Sequence, residues 1–262
     1  MVHVVLVTIK RARSIGSNQT SFIPLPQHPL FFSHDLVVDR MIFETGLFSI
    51  FIQMVVNVIE GWGLSMRVAP EDEILRDLLK VEFGVEVIEL IFYIVLIFFF
   101  RELTGIITPF RYIDWTLTTP LMLVTLMAYM RGAASGRLVD FLQNNVGSIL
   151  TVWTLNFAML LSGFLGEIGA LPVLLTTSIG FVPFAGYFGY IYENFVPADD
   201  TDYKRTLFFW FVGFWALYGL FALLNYTAKN VSYNILDLFA KNFFGVFLSL
   251  VIWQRSLPAI AG

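Results

Sequence analysis

The chain has 262 residues and a formal net charge of −4; 57% of it is apolar, 17% aromatic and only 14% charged, against roughly 25% charged in an ordinary soluble domain. A surface so poor in charge faces something other than water, and a lipid bilayer is the obvious solvent. No basic block marks a nucleic-acid partner, and the absence of Cys excludes a disulfide framework, a thiolate nucleophile and Cys-ligated zinc.

Residues 1–36 read as an amino-terminal arm. Its apolar stretch VHVVLVTI is only eight residues long, and Lys10, Arg11 and Arg13 follow it rather than precede it, which fits a secretory signal peptide poorly. An ordered cap and a loose tail fit equally well. Asn18-Gln-Thr matches a glycosylation acceptor, a pattern common by chance. His3, His28 and His34 all precede the first long apolar segment, so no His-based metal site is expected in the membrane.

A helix crossing the hydrocarbon core needs about 20 mostly apolar residues. Seven such segments follow, near 40–63, 79–101, 109–131, 140–163, 171–195, 206–228 and 231–254, separated by polar or Gly/Pro breaks such as RVAPEDE, MRGAASGR and VPADDTDYKR. Runs such as IELIFYIVLIFFF lack the period-two alternation of a membrane barrel. The expectation is an all-α bundle of seven transmembrane helices over 37–256, one multi-pass integral membrane domain, with a short tail at 257–262. With the amino terminus outside and the carboxyl terminus inside, the inner loops hold Arg67, Arg76, Lys80, Arg131, Arg137, Lys204, Arg205 and Arg255. The outer loops hold Arg101 and Lys229. That bias fits the positive-inside rule, although Lys10, Arg11, Arg13 and Arg40 in the arm weaken it.

Ionisable residues inside such segments are costly and are functional candidates by default. In the second segment Glu82, Glu86 and Glu89 are spaced four and three apart, on one helix face. Glu89 is expected to be buried; Glu82 and Glu86 lie either at the headgroups or inside. The third segment, RYIDWTLTTP, places Arg111, Asp114 and Thr118 on one stripe, from which the Thr118 hydroxyl is expected to donate to the Asp114 carboxylate. Glu167 is expected to satisfy a helix end near the outer surface. In the sixth segment Trp215 and Tyr218 are one turn apart; on their own such aromatics more often pack than hold a cofactor.

Lys241 lies about ten residues into the last segment, roughly 15 Å from either face at 1.5 Å per residue. The other lysines, Lys229 among them, lie in the arm or near helix ends, where a long stem can snorkel. A desolvated amine is a nucleophile towards carbonyls and the usual origin of a lysine Schiff base. Asp237, four residues earlier, shares its helix face. Lys241, Arg111, Asp114 and Asp237 together form a neutral quartet that a bundle can bury without an unmatched charge.

RYIDWTLTTP and DLFAK, together with GFLGEIG, YIYENF and WALYG, resemble segments of the microbial (type I) rhodopsins, and of their proteorhodopsin-like branch in particular, over residues 38–255. The resemblance implies all-trans retinal held as a covalent Schiff base on Lys241. It implies Asp114 as primary counterion and proton acceptor, Asp237 as second counterion, Arg111 as a gate towards the outside and Thr118 as the partner of Asp114. Trp115, Thr119, Met122, Trp215 and Tyr218 would line the pocket. The implied activity is transport or signalling rather than enzymatic: foremost a light-driven outward proton pump, with a light-gated cation channel using the second-helix glutamates, or a sensory photoreceptor, as alternatives. The implied partners are the lipid bilayer, protons or small cations, and further copies of the chain in a homo-oligomer; no metal and no nucleic acid are expected.

The chain also departs from the family pattern. Pumps of the family usually carry a carboxylate eleven residues after the counterion, where this chain has Thr125, so return of the proton should be slow, pH-dependent or routed through another group, for which Glu82, Glu86 and Glu89 of the second segment are candidates. Gly219 and Ala222 replace a proline and a common aromatic, which suggests a looser pocket near the ring end.

Overall fold

The computed structural model describes residues 32–132, 136–198 and 203–256, with side chains from residue 40 onward. All regular structure among them is helical. The principal helices are α1 (Phe32–Ser65), α2 (Glu73–Phe98), α3 (Ile107–Arg131), α4 (Val146–Glu167), α5 (Val173–Phe195), α6 (Tyr203–Phe221) and α7 (Tyr226–Arg255). Shorter helical segments at Phe100–Leu103 and Leu138–Asn144 lead into α3 and α4. The amino-terminal arm before Phe32, its sequon and histidines, and the tail 257–262 lie outside the residues or side chains described. α1 begins at Phe32, inside the stretch assigned to the arm.

Local chemistry sets the helix boundaries. Pro70 opens a single 3-10 turn ahead of α2, where its missing N–H costs nothing. Gly132 ends α3 at φ +65°, a conformation open to glycine because it lacks Cβ. Asn225 caps α7 by accepting from the Ala228 N–H at 2.9 Å, satisfying one of the orphan donors of its first turn.

Consecutive helices pack side by side, and α7 returns to pack against α1, α2 and α6, closing the ring. Two registers fix what faces what. Ser49 Oγ donates to the Asn234 carbonyl at 3.2 Å, 185 positions away, and Glu60 abuts Gly245 at that same separation, so α1 and α7 run parallel. Gly63 packs on Leu79, and Gly46 on Ile97, so α1 and α2 run antiparallel. The pairing that sets Gly63 against Leu79 sets Glu60 level with Glu82 and Gln53 level with Glu89.

Arg40–Ser65, Val146–Glu167, Val173–Phe195 and Tyr226–Arg255 are long and apolar enough to cross a membrane. The other three helices miss that composition for a visible reason in α2 and α3, where Glu82, Glu86, Glu89, Arg111 and Asp114 are all at most 2% exposed. Their charges point into the bundle. The outward surface is apolar instead, with Phe98 81% exposed and Val182 73% exposed, an arrangement suited to lipid rather than water.

Candidate functional site

Lys241 occupies a break in α7, between the helical stretches Tyr226–Ala240 and Asn242–Arg255. Its N–H still donates to the Asp237 carbonyl at 3.1 Å, so lysine and aspartate stay one turn apart. The amine is 3% exposed. Nζ donates to Asp114 Oδ2 of α3, with Glu89 Oε1 of α2 at 3.8 Å and Asp237 Oδ1 at 3.9 Å. The quartet read from the sequence is therefore joined by a fifth member, Glu89.

Asp237 is held by three donors. Tyr218 OH donates to Oδ1 at 2.6 Å, while Tyr93 OH at 2.7 Å and the Arg111 guanidinium at 3.2 Å donate to Oδ2. Arg111 is fully buried. It pairs with Asp237 rather than Asp114, donates to Asn234 Oδ1 and reaches Asn230 Oδ1 at 3.4 Å. Its guanidinium lies 5.6 Å from the Tyr93 ring centre and 5.9 Å from that of Tyr233. This end of the bundle is a mutually satisfied polar plug.

Thr118 departs from expectation. Its hydroxyl donates to the Asp114 backbone carbonyl at 2.9 Å, not to the carboxylate, because a helical threonine finds the carbonyl four residues back without leaving its rotamer. Asp114 Oδ1 has no hydrogen-bond partner among the described residues. Glu167 likewise does more than satisfy a helix end, since Lys229 Nζ donates to both its oxygens at 2.8 Å. Lys229 does not snorkel to the surface; it is 7% exposed. Lys229→Met is expected to destabilise the protein by on the order of 3 kcal/mol, because it removes one charge of a buried ion pair; thermal unfolding in detergent reads this as a lowered midpoint.

Beside Lys241 lies a cavity that is partly open to the exterior and lined mainly by aromatic and other apolar side chains, the usual character of a ligand pocket. Trp115, Thr119, Met122, Trp215 and Tyr218 all line it, and Lys241 opens onto it. Trp115 meets Tyr218 edge-on at 5.5 Å and Tyr233 at 5.3 Å. Thr119 is fixed by donating to the Trp115 carbonyl at 2.7 Å and accepting from Asn156 at 2.8 Å. Gly219 and Ala222 also line the cavity, but Gly219 is not the gap its sequence context suggested. A Cβ there would come within 2.7 Å of the Phe181 ring, so the aromatic has moved into the space.

The sequence reading missed Tyr93, Asn230 and Asn234, which hold Arg111 and Asp237, and it missed Glu60. Glu60 is fully buried against Gly245, where a Cβ would collide with its carboxyl group. A glutamate preceding GWG gives little signal in the sequence, and the glycine at 245 that makes room for it gains its meaning only from the packing of α7 on α1.

A family model described as bacteriorhodopsin-like protein matches residues 39–255. The chain belongs to the bacteriorhodopsin-like family. Among its relatives, the blue-light absorbing proteorhodopsin of Gamma-proteobacterium Hot 75m4 is 31% identical over 167 residues, covering 56% of this chain and 60% of that protein. The green-light absorbing proteorhodopsin of Gamma-proteobacterium EBAC31A08 is 28% identical over 166 residues. The match thus spans about 60% of the length of these curated relatives. Among solved structures, viral rhodopsin OLPVRII superposes with a TM-score of 0.72 at 27% identity over 81% of this chain and 98% of its own. Xanthorhodopsin, described as a light-driven ion pump with dual chromophore, shares the fold at a TM-score of 0.63 and 19% identity. Family membership makes the chain an integral membrane protein whose family chromophore is retinal. The residues present suit such a group: a buried amine for the covalent bond, carboxylates to balance it, and an aromatic slot for a conjugated chain.

Proposed function

We propose that this rhodopsin-family protein is a light-driven outward proton pump in which Lys241 carries all-trans retinal and Asp114 accepts the proton. When bound, retinal supplies light absorption and an isomerisation that alters the hydrogen bonds at the Lys241 nitrogen. The single observation that carries the reading is the direct hydrogen bond from Lys241 Nζ to Asp114. An ionisable acceptor in contact with the donor nitrogen is what one-way release requires, and a neutral residue there would leave the proton nowhere to go. Asp237 stays with Arg111, Tyr93 and Tyr218 and acts as a fixed second counterion. Arg111, anchored on Asn230 and Asn234, gates the step from Asp114 towards the outside. The reading has seven membrane-spanning helices over 37–256, with the amino terminus outside, as the basic residues of the opposite loops favour.

Illuminated vesicles or cells carrying the retinal-loaded protein are expected to acidify the outer medium, and a protonophore to abolish the change. A light-gated cation channel is the second reading, favoured by the carboxyl oxygens of Glu86 and Glu89 that lack hydrogen-bond partners among the described residues, since carboxylate-lined paths conduct cations. In that case illumination would collapse an imposed ion gradient rather than build one.

A further inference from the structure

Most of the buried side-chain polar atoms without hydrogen-bond partners among the described residues belong to one group on α1, α2 and α7. They include both carboxyl oxygens of Glu60, Glu86 and Glu89, one of Glu82, and both side-chain amide atoms of Gln53 and Asn242. The helix registers order them along the axis: Gln53 is level with Glu89, Glu86 and Asn242 follow one turn on, and Glu60 is level with Glu82. At that last level Thr125 of α3 donates its hydroxyl to Glu82 Oε1. Thr125 is the position where family pumps usually carry their inner carboxylate, and its hydroxyl therefore points at a carboxyl group supplied by α2. Beyond it, towards Arg255, Leu78, Leu79, Leu248 and Ile252 are all fully buried and close the path with apolar side chains.

The charge count decides the state of these acids. Among the described residues, Glu60, Glu82, Glu86, Glu89, Asp114 and Asp237 are buried with only Lys241 and Arg111 as buried cations near them; Lys229 is committed to Glu167. An ionised carboxylate without a cation is the costly form in a low-dielectric interior. Among the described residues no three acidic or His side chains converge to hold a metal ion, and a proton on the carboxyl group removes the charge without needing any partner.

We propose that Glu60 and Glu82 form a proton store, neutral in the dark, that replaces the missing α3 donor and returns a proton to the Lys241 nitrogen by way of Glu86. This rests on the reading that the Lys241 nitrogen first releases a proton to Asp114. In the return step the Glu82 O–H bond breaks, the proton passes through Glu86, and an N–H bond forms at Lys241. Glu82 is left as a carboxylate hydrogen-bonded by Thr125, and it recovers a proton from Glu60. Glu60 in turn recovers one from the aqueous phase at the Arg255 end. Gln53 and Asn242 supply unengaged donors and acceptors alongside the route for the water that such a relay needs.

Two measurements test the store. Infrared spectra of the retinal-free protein in lipid should show carbonyl bands of neutral carboxylic acids, one lost in Glu60→Gln and another in Glu82→Gln. In the retinal-loaded protein, flash photolysis of Glu82→Gln should show return of the proton to Lys241 slowed by about 10²-fold, with the earlier transfer to Asp114 unchanged and Thr125→Asp in the same background restoring the rate. If Glu82→Gln does not assemble, Thr125→Val must still shift the Glu82 carbonyl band. Absent carbonyl bands, bands bleached by added sodium or calcium ions, a band unmoved in Thr125→Val, or an unslowed return in Glu82→Gln would each overturn the store. Carbonyl bands that behave as described in a protein moving no net proton in light would uphold the store while refuting outward pumping.

Discussion

Lys241→Ala is expected to give a folded protein that never acquires visible colour when retinal is supplied. Of the lysines whose side chains are described, Lys241 alone opens onto the aromatic cavity. Lys229 is committed to Glu167, Lys80 bonds Asp77 at 2.9 Å, and Lys204 donates to the Met130 carbonyl at 3.1 Å near the far end of the bundle. None of these can stand in, so the loss should be complete rather than partial. Lys80→Ala and Lys204→Ala should retain full colour. Removing the amine also leaves Asp114, Asp237 and Glu89 facing only Arg111, so circular dichroism must accompany the absorption spectrum to separate lost attachment from lost fold.

Asp114→Asn is expected to move the absorption band to longer wavelength and to abolish light-driven acidification. A negative charge in contact with the cationic nitrogen stabilises the ground state more than the excited state, in which positive charge has moved away along the conjugated chain. Asparagine keeps the shape and removes the charge. It also removes the acceptor, and with no proton taken up the transport cycle stops at its first step. Asp237→Asn should act differently, because that carboxylate is already engaged by Tyr93, Tyr218 and Arg111. Its neutralisation frees the Arg111 charge and loosens the plug around Asn230 and Asn234 before it affects the Lys241 nitrogen. An absorption band that stays in place in Asp114→Asn would remove Asp114 from the counterion role.

Much of the site was legible because a charge inside a twenty-residue apolar run has no trivial explanation. Lys241, Asp237, Asp114 and Arg111 announce themselves in this way, and helical spacing alone places Asp237 one turn from the lysine. Glu82 and Glu86 were ambiguous, since the same spacing describes a solvated helix end; packing of α1 and α7 over that face decides for burial. Tyr93, Asn230 and Asn234 were invisible because neutral polar residues are unremarkable in a membrane helix until a partner is known. Glu60 needed the α1 to α2 register, which depends on contacts between helices, such as Gly63 against Leu79, that no single segment encodes. The Thr118 expectation failed on local competition: a hydroxyl four residues after an aspartate can reach either its side chain or its carbonyl, and the helix offers the carbonyl at no conformational cost. Glu167 and Lys229 lie 62 positions apart, and only the folded bundle brings them together.

Voltage-clamp recording from cells holding the retinal-loaded protein tests the central claim most directly. Proton release from Lys241 to Asp114 as the driving step predicts an outward photocurrent that keeps its sign across the accessible voltage range and disappears in Asp114→Asn. A photocurrent that reverses with voltage and follows the cation gradient would contradict it.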